Sequence, residues 1–268
     1  MPPPPRFNLL GVGVHALDYQ QATTSILDAA RDKKPFAATA LAVHGVMTGR
    51  SDPNQRTRLN RLDLITPDGQ PVRWALNRLY KTNLADRVYG PFLMQRVCER
   101  AAADGLSIFL FGSDTETLAM LSTALQHRHP SLRIAGTRPS RFRPATEAEW
   151  AEDVVALRTS RADIVFCGLG CPRQETWVYE MRAHLDRPLV AVGAAFAFWS
   201  GRQPMAPAWM QRTGLEWLYR FSREPLRLWR RYLILNPLYL AGLARQSLSP
   251  HAFDEPASPP EPPLLHYS

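Results

Sequence analysis

Cysteine is scarce in this chain of 268 residues, which contains only Cys98, Cys167 and Cys171. An odd, small number of cysteines argues against a disulfide scaffold and indicates a reducing compartment. Cys167 and Cys171 are four residues apart, but no histidine or cysteine with the spacing of a zinc site surrounds them. The sequence therefore predicts neither a metal site nor a bound cofactor.

Long apolar runs are also missing. The longest, Pro188–Trp199, is shorter than the roughly 18 residues that a membrane-spanning helix requires, and we expect it to form a buried strand. The first six residues, Met1–Arg6, contain four prolines and an arginine, which is not the composition of a signal peptide. We therefore expect a cytoplasmic protein whose contact with a membrane, if it has one, is peripheral.

Acidic residues are rare near the C-terminus, although the whole chain carries a formal charge of +8. Between residues 202 and 245 there are eight arginines but only two acids, Glu216 and Glu224, so this stretch holds +6 of the excess. Five of the arginines recur at helical spacing, which is predicted to place most of them on one face of a single helix: Arg220, Arg223, Arg227, Arg230 and Arg231. The opposite side of that helix is apolar: Trp217, Leu218, Phe221, Leu228, Trp229 and Leu235. Such a stripe fits a diphosphate, a nucleic acid or an anionic membrane surface.

Strand-like and helix-like segments alternate between residues 7 and 192. The predicted strands are Phe7–Val14, Phe36–Val43, Leu62–Thr66, Ser107–Phe111, Leu132–Ala135, Ile164–Cys167 and Leu189–Val192. The predicted helices are Leu17–Arg31, Val72–Leu79, Phe92–Ala103, Glu116–His127, Ala148–Ser160 and Gln174–Leu185. Alternation with continuous apolar strands predicts a Rossmann-like α/β fold, with a mostly parallel sheet and helices on both faces.

The predicted organisation has four parts. Residues 1–6 form a disordered N-terminus, and residues 7–201 form the α/β catalytic core. Residues 202–245 form an arginine-rich helical appendage, interrupted by Pro225 and Pro237, and 246–268 form a proline-rich disordered tail.

Ligands of such sheets bind beyond the carboxyl ends of the strands. One segment at those ends, Thr66–Gly69, places Asp68 in a tight turn, where its carboxylate could act as a general base. From its spacing alone the segment is better explained as a plain turn, because aspartate favours turns through local hydrogen bonds. His44 follows the predicted strand Phe36–Val43, and residues 44–48 are predicted to form a turn. His44 is therefore a further site candidate.

Two glycine-containing loops follow other strands. Gly112 and Ser113 could offer backbone N–H groups to a phosphate, or the loop could simply provide the helix cap at Asp114 or Thr115. The second loop, Gly168–Glu175, lacks both the third glycine of a dinucleotide fingerprint and the ending of a Walker loop. Its two glycines would let a ligand approach the backbone, and Gln174 could bind a sugar or a base.

The order of these motifs resembles that of the WecG/TagA/CpsF family, glycosyltransferase family 26, over about Phe7 to Tyr239. The matching segments are Leu64–Pro71, Arg87–Pro91, Phe111–Ser113, Gly168–Glu175, Val192–Phe196, Gly214–Arg220 and Glu224–Pro225. The resemblance implies an inverting, metal-independent transfer of an N-acetylmannosamine, uronic acid or hexose unit for cell-surface polysaccharide. The donor would be a UDP-sugar and the acceptor a polyprenyl-diphosphate-linked saccharide, at the inner face of the plasma membrane.

The same resemblance implies roles for individual residues. Asp68 matches the family's general base, and Thr39 and Gln174 match two further positions of the catalytic site. The arginines expected on the UDP diphosphate are Arg220, Arg227 and Arg230. The other candidates for UDP or substrate binding are Arg87, Gly112, Ser113, Gly170, Pro172 and Glu175.

The chain departs from the family pattern at two places. Leu41 stands where the family usually has asparagine, and His44 is expected to point into the same site in compensation. Met205 replaces the arginine of a usual Arg-Ala-Pro segment, so both departures bear on the identity of the donor sugar.

Two other classes of protein fit parts of the sequence. The arginine stripe alone would suit a basic, non-enzymatic nucleic-acid-binding protein, but no RNA-binding or helix-turn-helix signature accompanies it. A nicotinamide-dependent oxidoreductase is disfavoured by the missing third glycine. We therefore expect a sugar donor, a lipid-linked acceptor and an anionic membrane as partners, and no nucleic acid. An exposed apolar face near the appendage would also permit a homo-oligomer.

Overall fold

Six parallel strands form the central sheet of the computed structural model, which describes residues 4–254 and 259–268. Two further strands, β1 (Arg6–Leu9) and β2 (Val12–His15), lie outside this sheet. In chain order the strands of the central sheet are β3 (Phe36–Leu41), β4 (Leu64–Pro67), β5 (Ser107–Phe111), β6 (Arg133–Arg138), β7 (Ile164–Cys167) and β8 (Pro188–Ala191). The spatial order of the sheet is β4-β3-β8-β7-β5-β6, and every neighbouring pair is parallel. The predicted Rossmann-like α/β fold is confirmed.

The direction of strand addition reverses between β3 and β8. From β3 the chain moves outward to β4, whereas β5 to β8 fill the sheet on the other side. In an open parallel sheet such a reversal leaves a crevice at the carboxyl ends of the two central strands. The fold therefore places a site beyond Leu41 and Ala191.

Helices cover both faces of the sheet. They are α1 (Tyr19–Arg31), α2 (Val43–Ser51), α3 (Pro53–Asn60), α4 (Gln70–Tyr80), α5 (Gly90–Ala103), α6 (Thr115–Arg128), α7 (Glu147–Ser160), α8 (Arg173–Met181), α9 (Ala195–Trp199), α10 (Ala208–Thr213), α11 (Glu216–Arg223), α12 (Pro225–Trp229) and α13 (Asn236–Leu248). A 3₁₀ turn spans Arg182–His184, and a π-helical turn spans Arg230–Leu235. Consecutive strand residues belong to opposite cores: Val165 packs into one apolar cluster and Phe166 into the other.

The first predicted strand, Phe7–Val14, is in fact an antiparallel hairpin of β1 and β2. Its two-residue turn places Leu10 at φ 56° and Gly11 at φ 96°, the positive angles that tight hairpin turns require. The hairpin forms a sheet of its own, and the Ile65 N–H of β4 donates to His15 Nδ1 at 3.0 Å. Contiguous apolar residues concealed the turn, because leucine is an unusual residue there.

Two other segments differ from the predicted elements. Pro188–Trp199 is not one strand, since Gly193, at φ 60°, lies in a turn between β8 and α9. The predicted turn at 44–48 lies inside α2, where Val43, Val46 and Met47 are buried at helical spacing. The apolar run 188–199 therefore continues from a strand into a helix. The helix α2 was missed because its sequence contains few apolar residues.

The predicted arginine-bearing helix is divided at Glu224, whose φ of −137° and ψ of 57° are not helical. Pro225 causes the break, because a proline restricts the preceding residue and is itself favoured in the first turn of the next helix. Pro237 causes no break and lies in the first turn of α13, which follows the π-helical turn directly. The arginines therefore come from two short helices and a π-helical turn.

Residues 259–268 lie against the core, although the sequence predicts disorder over 246–268. The Leu265 and His266 N–H groups donate to the buried carboxylate of Glu180 at 2.9 and 2.8 Å, and Arg58 donates to the Pro263 carbonyl. A buried carboxylate needs such donors, which explains why this segment is held. At the start of the tail α13 continues to Leu248, and at the N-terminus Arg6 already belongs to β1. Residues 1–3 and 255–258 of the predicted disordered termini lie outside the described residues.

Candidate active site

A cleft of about 490 Å³ opens beyond the carboxyl ends of the central strands. Its walls come from the loops after β3, β4, β5, β7 and β8 on one side, and from the appendage on the other. It brings together most of the predicted site residues: His44, Asp68, Ser113, Gly170, Gln174, Glu175, Arg220, Arg227 and Arg230. Residues more than 180 positions apart thus line one cleft at the place where the fold predicts it.

Asp68 directly follows β4 and lies at the edge of the cleft. Its N–H donates to the carbonyls of Leu41 and Thr66, at 3.2 and 3.0 Å, which fixes the turn. Burial of the carboxyl raises the pKa of Asp68 to about 6, while nearby Arg87 lowers it and Glu216 raises it. A carboxyl with a pKa near neutrality is a stronger base than an ordinary aspartate and is still ionised at pH 7.

Gln174 and Thr39 converge on Glu175 at the floor of the cleft. Thr39 Oγ1 and Gln174 Nε2 both donate to Glu175 Oε1, at 2.9 and 2.8 Å. The side-chain Oε1 of Gln174 accepts from the N–H groups of Gly170 and Gly193, so this one side chain joins two loops. Thr39 itself is buried behind Glu175 and does not line the cleft.

Glu175 keeps one oxygen for a further partner. Its Oε2 is buried and accepts no hydrogen bond in the described part of the chain, and burial raises the pKa of this carboxyl. His44 Nδ1 is likewise buried and unpartnered there, and burial together with Arg231 lowers the pKa of His44 to about 4. His44 is therefore neutral at pH 7, and both groups can bind a polar ligand.

The glycine loops approach each other closely at the mouth of the cleft. A side chain at Gly112, which has φ 101°, would come within 3.1 Å of the Gly168 backbone, so only glycine fits. Ser113 and Gly170 line the cleft, whereas Gly112 packs beneath it. Pro172 is exposed at the start of α8 and also lies outside the cleft wall.

Four arginines of the appendage line the cleft: Arg220, Arg227, Arg230 and Arg231. Arg220 comes from α11, and the other three follow the break at Glu224. Arg223 belongs to the same sequence pattern but does not line the cleft. Sequence reasoning placed Arg231 in the stripe without assigning it to the site, because the family resemblance implied diphosphate contacts only for Arg220, Arg227 and Arg230.

Arg87 lies beside the cleft and not in its wall. Its guanidinium is buried, forms an ion pair with the carboxylate of Glu216 at the start of α11, and lies 4.2 Å from the centroid of the Tyr89 ring. The resemblance implied a role for Arg87 in binding UDP or substrate; in the structure its ion pair with Glu216 joins the segment between α4 and α5 to the appendage. No sequence signal pointed to Glu216 as its partner.

We expect Glu216→Gln to lower the free energy of unfolding by about 3–5 kcal/mol, because the substitution leaves the buried Arg87 charge unpaired. Urea unfolding, with limited proteolysis of residues 202–248, measures this. The double variant Arg87→Met/Glu216→Gln removes both charges and should recover part of the loss. A Glu216→Gln protein as stable as the wild type would contradict a role for the pair in holding the appendage.

Metal-ligating side chains are not grouped in the described chain: over 4–254 and 259–268, no three His, Cys, Asp or Glu residues could hold a metal ion together. Across those same ranges, no helix has both the length and the apolarity needed to cross a bilayer.

A comparison with known protein families gives a match that covers most of the chain. Residues 7–252 match the model of the Glycosyl transferase WecG/TagA/CpsF family. Apart from Arg6 of β1, the matched range includes the strands and helices of the described residues and all the residues that line the cleft. Residues 259–268, which pack on α8, lie outside it.

Proposed function

Because this chain belongs to the WecG/TagA/CpsF glycosyltransferase family, we propose that it transfers a sugar from a UDP-sugar to a polyprenyl-diphosphate-linked saccharide. The observation that carries this proposal is the convergence of Asp68 with four arginines on one cleft. A carboxylate alone fits many reactions, and a cluster of arginines alone fits many anions. Together they fit a reaction in which a hydroxyl group loses a proton while a diphosphate leaves.

The diphosphate of the donor is assigned to the arginine side of the cleft. Arg220, Arg227 and Arg230 carry guanidinium groups, which bind phosphate oxygens through paired, charge-assisted hydrogen bonds. The glycine loops at Ser113 and Gly170 leave the backbone open on the opposite side, where nothing lies within 4 Å of an added Gly170 side chain. The uridine and the diphosphate would therefore span the cleft from the loops to the appendage.

In the proposed reaction Asp68 accepts the proton of an acceptor hydroxyl as that oxygen attacks the anomeric carbon. The bond from the anomeric carbon to the diphosphate oxygen breaks, and its electron pair leaves with UDP. A single displacement of this kind inverts the anomeric configuration. The arginines stabilise the negative charge that develops on the leaving group, which is the contribution that preorganised cations make in an active site.

The positive charge of the arginines can take the place of a metal ion at the leaving diphosphate. In many transferases a divalent cation neutralises the leaving diphosphate. Four guanidinium groups provide comparable charge at the same place, so we propose that the transfer proceeds without a metal ion.

The exposed apolar face of the appendage supports docking on a membrane. Large side chains that a globular protein would usually bury are exposed there, and Leu226 is 92% exposed. The exposed side chains that we assign to this face are Leu218, Leu226, Trp229, Leu233, Leu238 and Leu240. Nearby arginines would add about 1 kcal/mol each on an anionic lipid surface. We propose that this face docks on the inner leaflet of the plasma membrane, which brings the cleft to a lipid-linked acceptor.

The test is UDP release from a panel of UDP-sugars, with a farnesyl-diphosphate-linked hexosamine as the acceptor, in the presence and in the absence of EDTA. We expect acceptor-dependent release from one donor, at the same rate with the chelator. Release that EDTA abolishes would contradict the metal-independent mechanism. If no donor releases UDP and UDP itself does not bind, the glycosyltransferase assignment of this site is wrong and nucleic-acid binding becomes the leading alternative.

A further inference from the structure

A second, smaller chamber of about 110 Å³ adjoins the cleft at Asp68. We call it the aromatic chamber. It shares part of its wall with the cleft: Ala42, Asp68, Tyr89, Arg220 and Arg231. Its remaining wall includes Gln70, Gly214, Trp217, Tyr232 and Asn236. Asp68 thus faces two spaces, only one of which the donor occupies in the proposed function.

The chemistry of the aromatic chamber differs from that of the cleft. Arg227, Arg230 and the glycine loops line the cleft alone, so a diphosphate fits there and not in the chamber. Of the three arginines in the chamber wall, Arg87 is already paired with Glu216. The other two lie on the boundary that both spaces share. The chamber is therefore suited to a ligand with hydroxyl groups and no charge of its own.

Two aromatic rings give the chamber a surface for the face of a sugar ring. The centroids of Trp217 and Tyr232 lie 5.7 Å apart with their planes tilted by 56°, and Trp217 is 37% exposed. An exposed aromatic face is electron-rich and apolar, so it packs well against the C–H groups on one side of a pyranose. Trp217 precedes Leu218 of the membrane-docking face, which places the chamber beside the surface from which a lipid-linked substrate would come.

Gln70 supplies a buried side-chain oxygen, Oε1, to which no group of the described residues donates. The side chain is only 4% exposed, and its Oε1 accepts no hydrogen bond from the described residues. Its Nε2 makes two long contacts, to Asp86 at 3.3 Å and to the Gln211 carbonyl at 3.4 Å. A buried acceptor without a donor is costly, so a ligand hydroxyl that donates to Gln70 would satisfy it.

We propose that the aromatic chamber binds the reacting sugar of the acceptor saccharide. Gln70 accepts a hydrogen bond from a ring hydroxyl, and Trp217 packs against the face of the ring. This inference rests on the proposed function, because it needs a donor in the cleft and Asp68 as the base. The attacking oxygen then reaches Asp68 from the chamber, while UDP leaves into the arginine side of the cleft. Gln70 and Trp217 would select the acceptor without affecting the donor.

The test compares Gln70→Leu and Trp217→Leu with a matched control, Trp209→Leu. Trp209 is an exposed tryptophan of the same appendage that lines neither space. The acceptor KM is measured with the farnesyl-diphosphate-linked hexosamine in detergent-free buffer, and the UDP dissociation constant is measured by calorimetry. Titration of the same acceptor into UDP-saturated protein gives its affinity independently of turnover.

We expect both chamber variants to raise the acceptor KM and the acceptor dissociation constant by about fivefold to tenfold, as the loss of one hydrogen bond or packing contact would. Their UDP affinity, and all constants of Trp209→Leu, should stay within twofold of the wild type. Unchanged acceptor constants in an active variant would overturn the inference and leave the proposed function standing. A matching loss of UDP affinity would also overturn it, by making the chamber part of the donor site. A wild-type protein that transfers no sugar would instead overturn the proposed function itself, and this inference with it.

Discussion

Replacing Asp68 with asparagine should lower kcat by a factor of about 10²–10⁴ and leave UDP affinity within about twofold. The amide has the size of the carboxyl but cannot accept the proton of the attacking hydroxyl. Asp68 shares the boundary of the cleft with Arg220 and Arg231, but an ionised carboxylate has no hydrogen to donate to a phosphate oxygen. The contacts between the arginines and the diphosphate should therefore persist. Steady-state kinetics and calorimetry with UDP measure the two quantities separately.

The dependence of the rate on pH gives an independent test of the same residue. The ionised carboxylate is the active form, and the pKa of Asp68 is raised to about 6 by burial. In the wild type kcat/KM should therefore be constant above about pH 7 and fall tenfold per pH unit well below 6. Asp68→Asn should lose this acidic limb. A variant that keeps both the turnover and the pH profile of the wild type would exclude Asp68 as the base.

Replacing Arg220 with glutamine should weaken UDP binding by roughly 10- to 100-fold, because hydrogen bonds to a charged group contribute about 1.5–3 kcal/mol. Arg220 is half-buried and lines the boundary between the cleft and the aromatic chamber. Calorimetric titration with UDP measures the change. Arg220→Lys keeps the charge but loses the planar fork of donors, so it should recover only part of the affinity.

Arg223→Gln is the matched control for Arg220. It removes the same charge from the same helix, three residues away, but at a position outside the cleft wall. We expect its UDP affinity to change by less than threefold at physiological salt, where exposed charges are screened. Equal losses for both variants would mean that the appendage attracts UDP through its overall charge, without specific contacts to the diphosphate.

Most of the sheet could be predicted because its strands are short, continuously apolar and bounded by glycine or proline. Ser107–Phe111 and Ile164–Cys167 were predicted with the bounds that the structure gives. The run from Pro188 to Trp199 was misread because both a buried strand and a buried helix are apolar throughout. Periodicity separates them only when one face is polar.

The site was predictable where it depends on residue type and order along the chain. Asp68, Gln174 and the arginines follow from motifs, and they do line the cleft. The ion pair of Arg87 with Glu216 and the aromatic chamber could not be predicted. Both depend on how the appendage packs against the core, and the sequence contains no pattern for a contact between residues 129 positions apart.

The packing of residues 259–268 on α8 bears on where the chain can be shortened. The family match ends at residue 252, so a fragment cut at that boundary would keep every strand, every helix and the whole cleft. It would lose the two N–H groups that donate to Glu180 and the carbonyl that accepts from Arg58. Those two buried charged groups would then face each other at 4.0 Å with fewer hydrogen bonds than in the full chain. The range that matches the family is therefore shorter than the chain needed to satisfy the hydrogen bonds of Arg58 and Glu180.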